Sequence, residues 1–155
     1  MLAIRRYEPS DHDVVLGLHK IALGAVNSDA GDGPWDDDLN QIEEVYLSGG
    51  GEFLVGLVED RVVAMGALRR SSEFRGEIKR MRVHPDYQRQ GFGQAILMAL
   101  EERAKEFAYR ALHLDTTTLQ EAARHLYAKN GYVAIGSGQA HGFDLIFYEK
   151  RLVSN

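Results

Sequence analysis

The alternation of apolar and polar residues slips once, between Ile78 and Val83, and that slip limits the fold more than any other feature of the chain. In Ile78-Lys79-Arg80-Met81-Arg82-Val83 the apolar positions are 78, 81 and 83, whereas strict period two would give 78, 80, 82 or 79, 81, 83. A slip of one residue turns every later side chain to the other face of a sheet. One extra residue between Ile78 and Met81, a β-bulge, repairs the pattern and splays the strand from its neighbour. The N–H and C=O groups freed in this way would suit an amide-bearing ligand. A regular strand with Ile78 facing a second buried surface is the other reading of the same residues.

The strand runs into His84-Pro85-Asp86-Tyr87, which reads as a turn, and then into Gln88-Arg89-Gln90-Gly91-Phe92-Gly93-Gln94. The clearest helix of the chain follows, over Gly91 to Phe107. Ile96, Leu97, Leu100, Ala104 and Phe107 form its apolar stripe, and Glu101, Glu102, Lys105 and Glu106 face away. A helix start offers unpaired N–H groups and a partial positive charge, and Gly91 and Gly93 allow close backbone approach, so the segment suits a pyrophosphate. Arg89 would add a charge-assisted contact. The Gly-Lys-Ser/Thr of a P-loop is missing, and Ile96 stands where a dinucleotide fingerprint needs glycine.

Elsewhere the chain reads as alternating elements without repeats or linkers. Leu2 to Tyr7 predicts a strand and Pro9-Ser10-Asp11 a helix start, with Val14, Val15, Leu18, Ile21, Ala22 and Ala25 at helical spacing. Asn27 to Asp38 is a Gly/Asp/Pro-rich loop, a short helix covers Leu39 to Leu47, and Gly49-Gly50-Gly51 ends it. Phe53 to Val58 and Arg61 to Leu68 flank Glu59-Asp60 as a hairpin, with a further strand over Arg75 to His84. Ala111 to Asp115 is a strand, Leu119 to Lys129 a helix stopped at Asn130-Gly131, and Tyr132 to Ile135 and Phe143 to Lys150 are closing strands. The expected class is mixed α/β or α+β, in one domain over residues 1–155.

Together these residues resemble the GNAT superfamily of acetyl-CoA-dependent N-acetyltransferases. The family signature, Arg/Gln-x-x-Gly-x-Gly/Ala opening a long helix, reads here Gln88-Arg89-Gln90-Gly91-Phe92-Gly93. Glu77 to Pro85 looks like the family's bulged fourth strand, and Ala123 to Tyr132 like its late helix and turn. The resemblance implies a mostly antiparallel central sheet with a splayed, bulged strand, flanked by about four helices. It implies that the backbone of Met81, Arg82 and Val83 pairs with the pantetheine amides, and that the amides from Arg89 through Gln94 hold the pyrophosphate, with Gln88 opening the signature. The slot for the pantetheine arm and thioester would lie between the strands starting near Arg75 and Ala111. Tyr127 matches the family's general acid, and Glu77 the position where several members place a general base. Gln120 stands where the family often has Asn, with a longer reach.

The activity so implied is acetyl transfer to a primary amine by direct attack in a ternary complex. A catalytically silent acyl-CoA-binding sensor on the same fold is the alternative. The span Asn27 to Glu44 carries Asp29, Asp32, Asp36, Asp37, Asp38, Glu43 and Glu44 and no Lys or Arg. It reads either as an acidic rim that attracts an amine cation, with Trp35 as a cation–π face, or as a solvated acidic loop. The absence of cysteine excludes thiolate chemistry and fits a cytoplasmic protein, and a net charge of −5 argues against a nucleic-acid partner. No membrane span, signal peptide or metal site is expected. His113-x-Asp115 is a strand pair rather than a ligand set, and His84 and His141 lie nearer the acceptor end. A monomer or homodimer is expected, with Phe143 to Phe147 serving core or interface.

Overall fold

In the computed structural model, which describes residues 1–28, 31 and 33–152, β-rich runs and glycine turns produce one seven-stranded sheet. Its strands are β1 (Ala3–Arg6), β2 (Glu52–Val58), β3 (Arg61–Ser72), β4 (Arg75–Val83), β5 (Ala111–Thr117), β6 (Val133–Ala140) and β7 (Phe143–Arg151). They lie in the order β1-β2-β3-β4-β5-β7-β6. All neighbours are antiparallel except β4 and β5, which run parallel. Helices α1 (His12–Ala25), α2 (Phe92–Glu106) and α3 (Glu121–Lys129) cover the sheet. The β2–β3 turn places Glu59 and Asp60 at φ +50° and +65°, and the β6–β7 turn places His141 and Gly142 at +52° and +82°. Both positive angles in each two-residue loop match the twist of the flanking strands.

Two apolar clusters pack against the sheet. Ile96, Leu97, Leu100 and Ala104 of α2 meet Leu54, Ala64, Leu68, Ile78, Leu112 and Leu114. Val15 and Leu18 of α1 meet Phe53, Val55, Met65 and the Leu39, Ile42 and Tyr46 segment. The α2 stripe falls as its periodicity predicts, with one correction. Glu101 is buried rather than facing away, where its carboxylate accepts from the Tyr132 hydroxyl (2.7 Å) and Lys150 Nζ (3.0 Å). β7 lies inside the sheet between β5 and β6, so both of its backbone edges are occupied.

The expected bulge is present in β4. Ala67 pairs with Lys79 and Met65 with Arg82, so Gly66 alone stands opposite Arg80 and Met81. Arg80 takes up the extra length at φ +58°. Ile78 and Met81 consequently share the α2-facing cluster, which excludes the reading with Ile78 on a second surface. Beyond the bulge the sheet opens: β4 and β5 pair only over Arg75–Glu77 with Ala111–His113. The region 34–47 departs from expectation. A 3-10 helix covers Pro34–Asn40, and a π-helical turn covers Glu43–Leu47, in place of one helix from Leu39. The cause is side-chain demand: Asp36 and Asp38 are drawn to Arg80, which fixes the backbone before an α-helix can start.

Gly66 has no room for a side chain, because a Cβ there would lie 2.6 Å from Ile96 Cγ2 and from Met81 Sδ. Gly66→Ala should therefore destabilise the fold by about 1–3 kcal/mol, measured by urea unfolding.

Candidate active site

Where β4 leaves β5, two adjoining cavities open, of about 290 Å³ and about 560 Å³. Met81, Arg82, Gln120 and Tyr127 line both, so they form the junction. The larger cavity ends on the glycine turn. Gly91 caps α2 with φ +79°, Arg89 stands at φ +63°, and no side chain caps the helix. The first intrahelical bond is donated by Ala95 to the Gly91 carbonyl at 3.1 Å, so the amides of Phe92, Gly93 and Gln94 have no helical partner. No acidic residue occupies the first turn. Gln88, Arg89, Gly91, Phe92, Gly93 and Gln94 all line this cavity. Free amides, a helix dipole and one arginine make a site for an anionic group of phosphate type. Gln90 is exposed beside them and is not part of the lining. The Gln94 and Asn130 side-chain amides bond reciprocally at 2.7 Å, tying the start of α2 to the end of α3.

Within residues 81–83, Arg82 pairs with Met65 of β3 while the Val83 backbone turns away from it. His84 N–H donates to the Val63 carbonyl (2.8 Å), which makes Ala64 and Val83 a non-hydrogen-bonded pair and turns the Val83 backbone groups away from β3. The Val83 carbonyl accepts from Gln88 Nε2 at 3.1 Å, and the Met81 carbonyl accepts from Arg82 Nη1 at 2.8 Å. Gln120 sits at the start of α3, and its Nε2 lies 3.4 Å from Thr117 Oγ1.

Tyr127 is 5% exposed and packs edge-on to Tyr132 and tilted against Tyr148. Its hydroxyl has no hydrogen-bond partner among the described residues. Burial pushes the phenol up to about 12, with Arg82 opposing and Asp115 adding to the rise. It is therefore a protonated donor at neutral pH. Glu77 lies at the last position where β4 pairs with β5, opposite His113, and lines the smaller cavity with Asp115, Thr116 and Thr117. The Thr116 hydroxyl is buried without a partner among the described residues.

The acidic stretch divides: Asp37, Glu43 and Glu44 are exposed, whereas Asp36 and Asp38 turn to Arg80. Arg80 Nε and Nη2 hold Asp38 at 3.0 and 2.6 Å, Nη1 reaches Asp36 at 3.3 Å, and Nη2 also donates to the Trp35 carbonyl at 2.7 Å. Tyr46 donates its hydroxyl to the same Asp38 carboxylate. Burial opposes ionisation of Asp38, but the Arg80 contacts prevail and hold its pKa below the usual value. Asp36 and Asp38 thus neutralise a buried arginine rather than forming a free rim. Asp37 is exposed, and Asp29 and Asp32 lie outside the described residues. Trp35 is turned onto His141 of the β6–β7 turn, with centroids 4.5 Å apart, and both line the smaller cavity. His84 accepts from Asp86 N–H at 3.1 Å as a turn cap, and His113 bonds Ser71 at 2.6 Å.

His19 carries no motif, and Arg80, although inside the bulged-strand segment, has no role that its sequence position assigns. The available signal was a histidine one turn after Val15 on the apolar stripe of α1. His19 is 1% exposed; its Nδ1 accepts from Arg82 Nε (3.3 Å), which leaves Nε2–H to donate to Asp36 (3.0 Å). Burial first, then Arg82 and Arg80, lower its pKa to about 3, so the ring is neutral.

The sequence profile of the Acetyltransferase (GNAT) family matches residues 20–132. N-acetylaspartate synthetase of Xenopus tropicalis is 33% identical over 110 residues, which are 67% of this chain and 39% of that relative. The chain therefore spans well under two thirds of that relative's length. A GNAT-family acetyltransferase from Staphylococcus aureus Mu50 has the same fold, with a TM-score of 0.90 at 22% identity, covering 99% of this chain and 100% of that one. The PaiA N-acetyltransferase of Thermoplasma acidophilum, solved in complex with coenzyme A, matches with a TM-score of 0.76 at 14% identity, over 98% and 99% of the chains.

The neutral His19 gives stability a defined pH slope. Its folded pKa lies below the unfolded value of about 6.5, so the unfolded chain takes the proton first as pH falls. Its contribution is full above about pH 6.5 and declines by about 1.4 kcal/mol per pH unit toward about pH 3. In urea unfolding between about pH 7 and about pH 5, His19→Gln should lack that slope when compared with the unaltered protein.

Proposed function

The chain belongs to the GNAT acetyltransferase family, and from that premise we propose that residues 1–155 act as one N-acetyltransferase domain that moves the acetyl group of acetyl-CoA to a primary amine. The observation that carries this reading is the meeting of the two cavities at Tyr127, one of them ending on uncapped helix amides. The amides from Arg89 to Gln94 bind the pyrophosphate, and the Arg89 side chain adds charge. The backbone of Met81, Arg82 and Val83 takes the place of a strand partner for the pantetheine amides, with Gln120 across the slot. This sets the thioester beside Tyr127 and the amine in the smaller cavity.

In this reading Glu77, directly or through water, takes the proton that the amine loses as its nitrogen attacks the thioester carbon. The C–N bond forms and the C–S bond breaks. Tyr127 gives its proton to the departing sulfur and regains one from solvent. Positioning the reactants contributes about 7–11 kcal/mol in favourable cases, and each acid–base group about 10²–10⁴-fold. The burial that raises the Tyr127 pKa keeps the phenol protonated until the thiolate forms beside it.

Acetyl-CoA should raise the melting temperature, since ligand at 100-fold over Kd adds about 2.7 kcal/mol. An amine panel read by free-thiol release then tests transfer, and no release with any amine would refute the enzyme reading. Tyr127→Phe should lower kcat by about 10²–10⁴-fold while the acetyl-CoA thermal shift persists.

A further inference from the structure

Arg82 is a cation that the protein itself engages only in part. Its Nε–H donates to His19 Nδ1 and its Nη1 to the Met81 carbonyl. Both acceptors are uncharged, because His19 is held neutral. Among the described residues no carboxylate lies within ion-pair distance of Arg82, in contrast to Arg80, whose guanidinium is taken up by Asp36 and Asp38. The Nη2 group has no hydrogen-bond partner among the described residues. Arg82 lines both cavities. Burial and then the like charge of Arg80 bring Arg82 down to about 10, against the opposing influence of Tyr127, Asp36 and Asp38.

The same small cavity carries carboxylates on another wall. Glu77 of β4 and Asp115 of β5 both line it, with the unpartnered Thr116 hydroxyl beside them. Its volume of about 290 Å³ lies at the low end of small-molecule pockets, about 300–1,000 Å³. Trp35 and His141, in contact with each other, also line this cavity.

Resting on the N-acetyltransferase reading, we propose that the acceptor is a free amino acid, whose carboxylate pairs with Arg82 while its amino group faces Glu77 and Asp115. A guanidinium matches a carboxylate in plane and in donor spacing, and the pair is stronger away from water. Amine and carboxylate on one carbon keep the nitrogen close to Tyr127, which shares the junction with Arg82. A diamine or polyamine would set a second cation against Arg82 and Lys79, which both line the cavity. A peptide N-terminus offers Arg82 no carboxylate on that carbon.

The test uses the unaltered protein with acetyl-CoA and matched acceptors: an amino acid, the amine left by removing its carboxylate, and its carboxamide. Values of kcat/KM are corrected for the fraction of each amine that is unprotonated. The amino acid should exceed both partners by about 10–100-fold for at least one side chain, as expected for a hydrogen bond to a charged group. Equal kcat/KM across every matched set, or preference for the amine or carboxamide, overturns this proposal and leaves the acetyltransferase reading standing. No thiol release with any amine overturns both. In Arg82→Gln the preference should fall toward parity, and Arg82→Lys should restore part of it. The acetyl-CoA thermal shift in each variant reports that it is folded. A folded Arg82→Gln that keeps the full preference overturns the assignment, and if it does not fold the matched sets decide alone.

Discussion

Arg80 leaves the regular strand with a left-handed backbone, and its guanidinium closes on Asp38 with two nitrogens and on Asp36 with a third. A non-glycine residue in that conformation is strained by about 1–3 kcal/mol and persists only where its surroundings over-determine it. Here the surroundings are the carboxylates of a loop that precedes β4 by some forty positions. A buried arginine without its partners costs several kcal/mol, so the bulge and the 34–40 segment stabilise each other. Every other part of the site depends on that junction. β4 parts from β5 beyond Glu77, both cavities open there, and the same loop presents Asp36 to His19, the ring to which Arg82 donates.

The sequence made the backbone features legible and hid the electrostatic ones. The slip in alternation at Ile78 to Val83 is a local pattern, and the register of Ala67 with Lys79 and Met65 with Arg82 follows it. The glycine turn and the start of α2 were readable because Gly91 must adopt positive φ and the Ile96–Ala104 stripe has helical period. The Asn130-Gly131 stop was readable for the same reason, with Gly131 at φ +89°. Long-range charge pairing has no such signature. Nothing in Trp35-Asp36-Asp37-Asp38 says that its first and third aspartates turn inward to Arg80 while the middle one stays exposed. The same pairing replaced the expected helix from Leu39 with a 3-10 helix and a π-helical turn. Glu101 was misjudged in the same way, because its partners Tyr132 and Lys150 come from distant elements.

Electrostatics divides the site into regions of different character. The end of the larger cavity offers backbone amides and Arg89, with no acid in the first turn of α2. The smaller cavity mixes Glu77 and Asp115 with Arg82, and Tyr127 stands between the two regions as an uncharged donor. Surface charge counts would have described this arrangement poorly, since a net charge of −5 conceals an arginine-rich interior edge on β4.

The short parallel contact between β4 and β5 has a mechanical meaning. Three register pairs, Arg75 with Ala111, Gly76 with Leu112 and Glu77 with His113, join one block of antiparallel strands to another. The sheet is in effect two sheets on a common hinge, with the Gln94–Asn130 amide clasp linking the helices on the open side. An extended ligand bearing amides, laid along the free edge of β4, would act as the absent strand. The backbone amides along that edge would then exchange with solvent most slowly when a ligand is in place, so the completeness of the sheet itself would depend on ligand concentration.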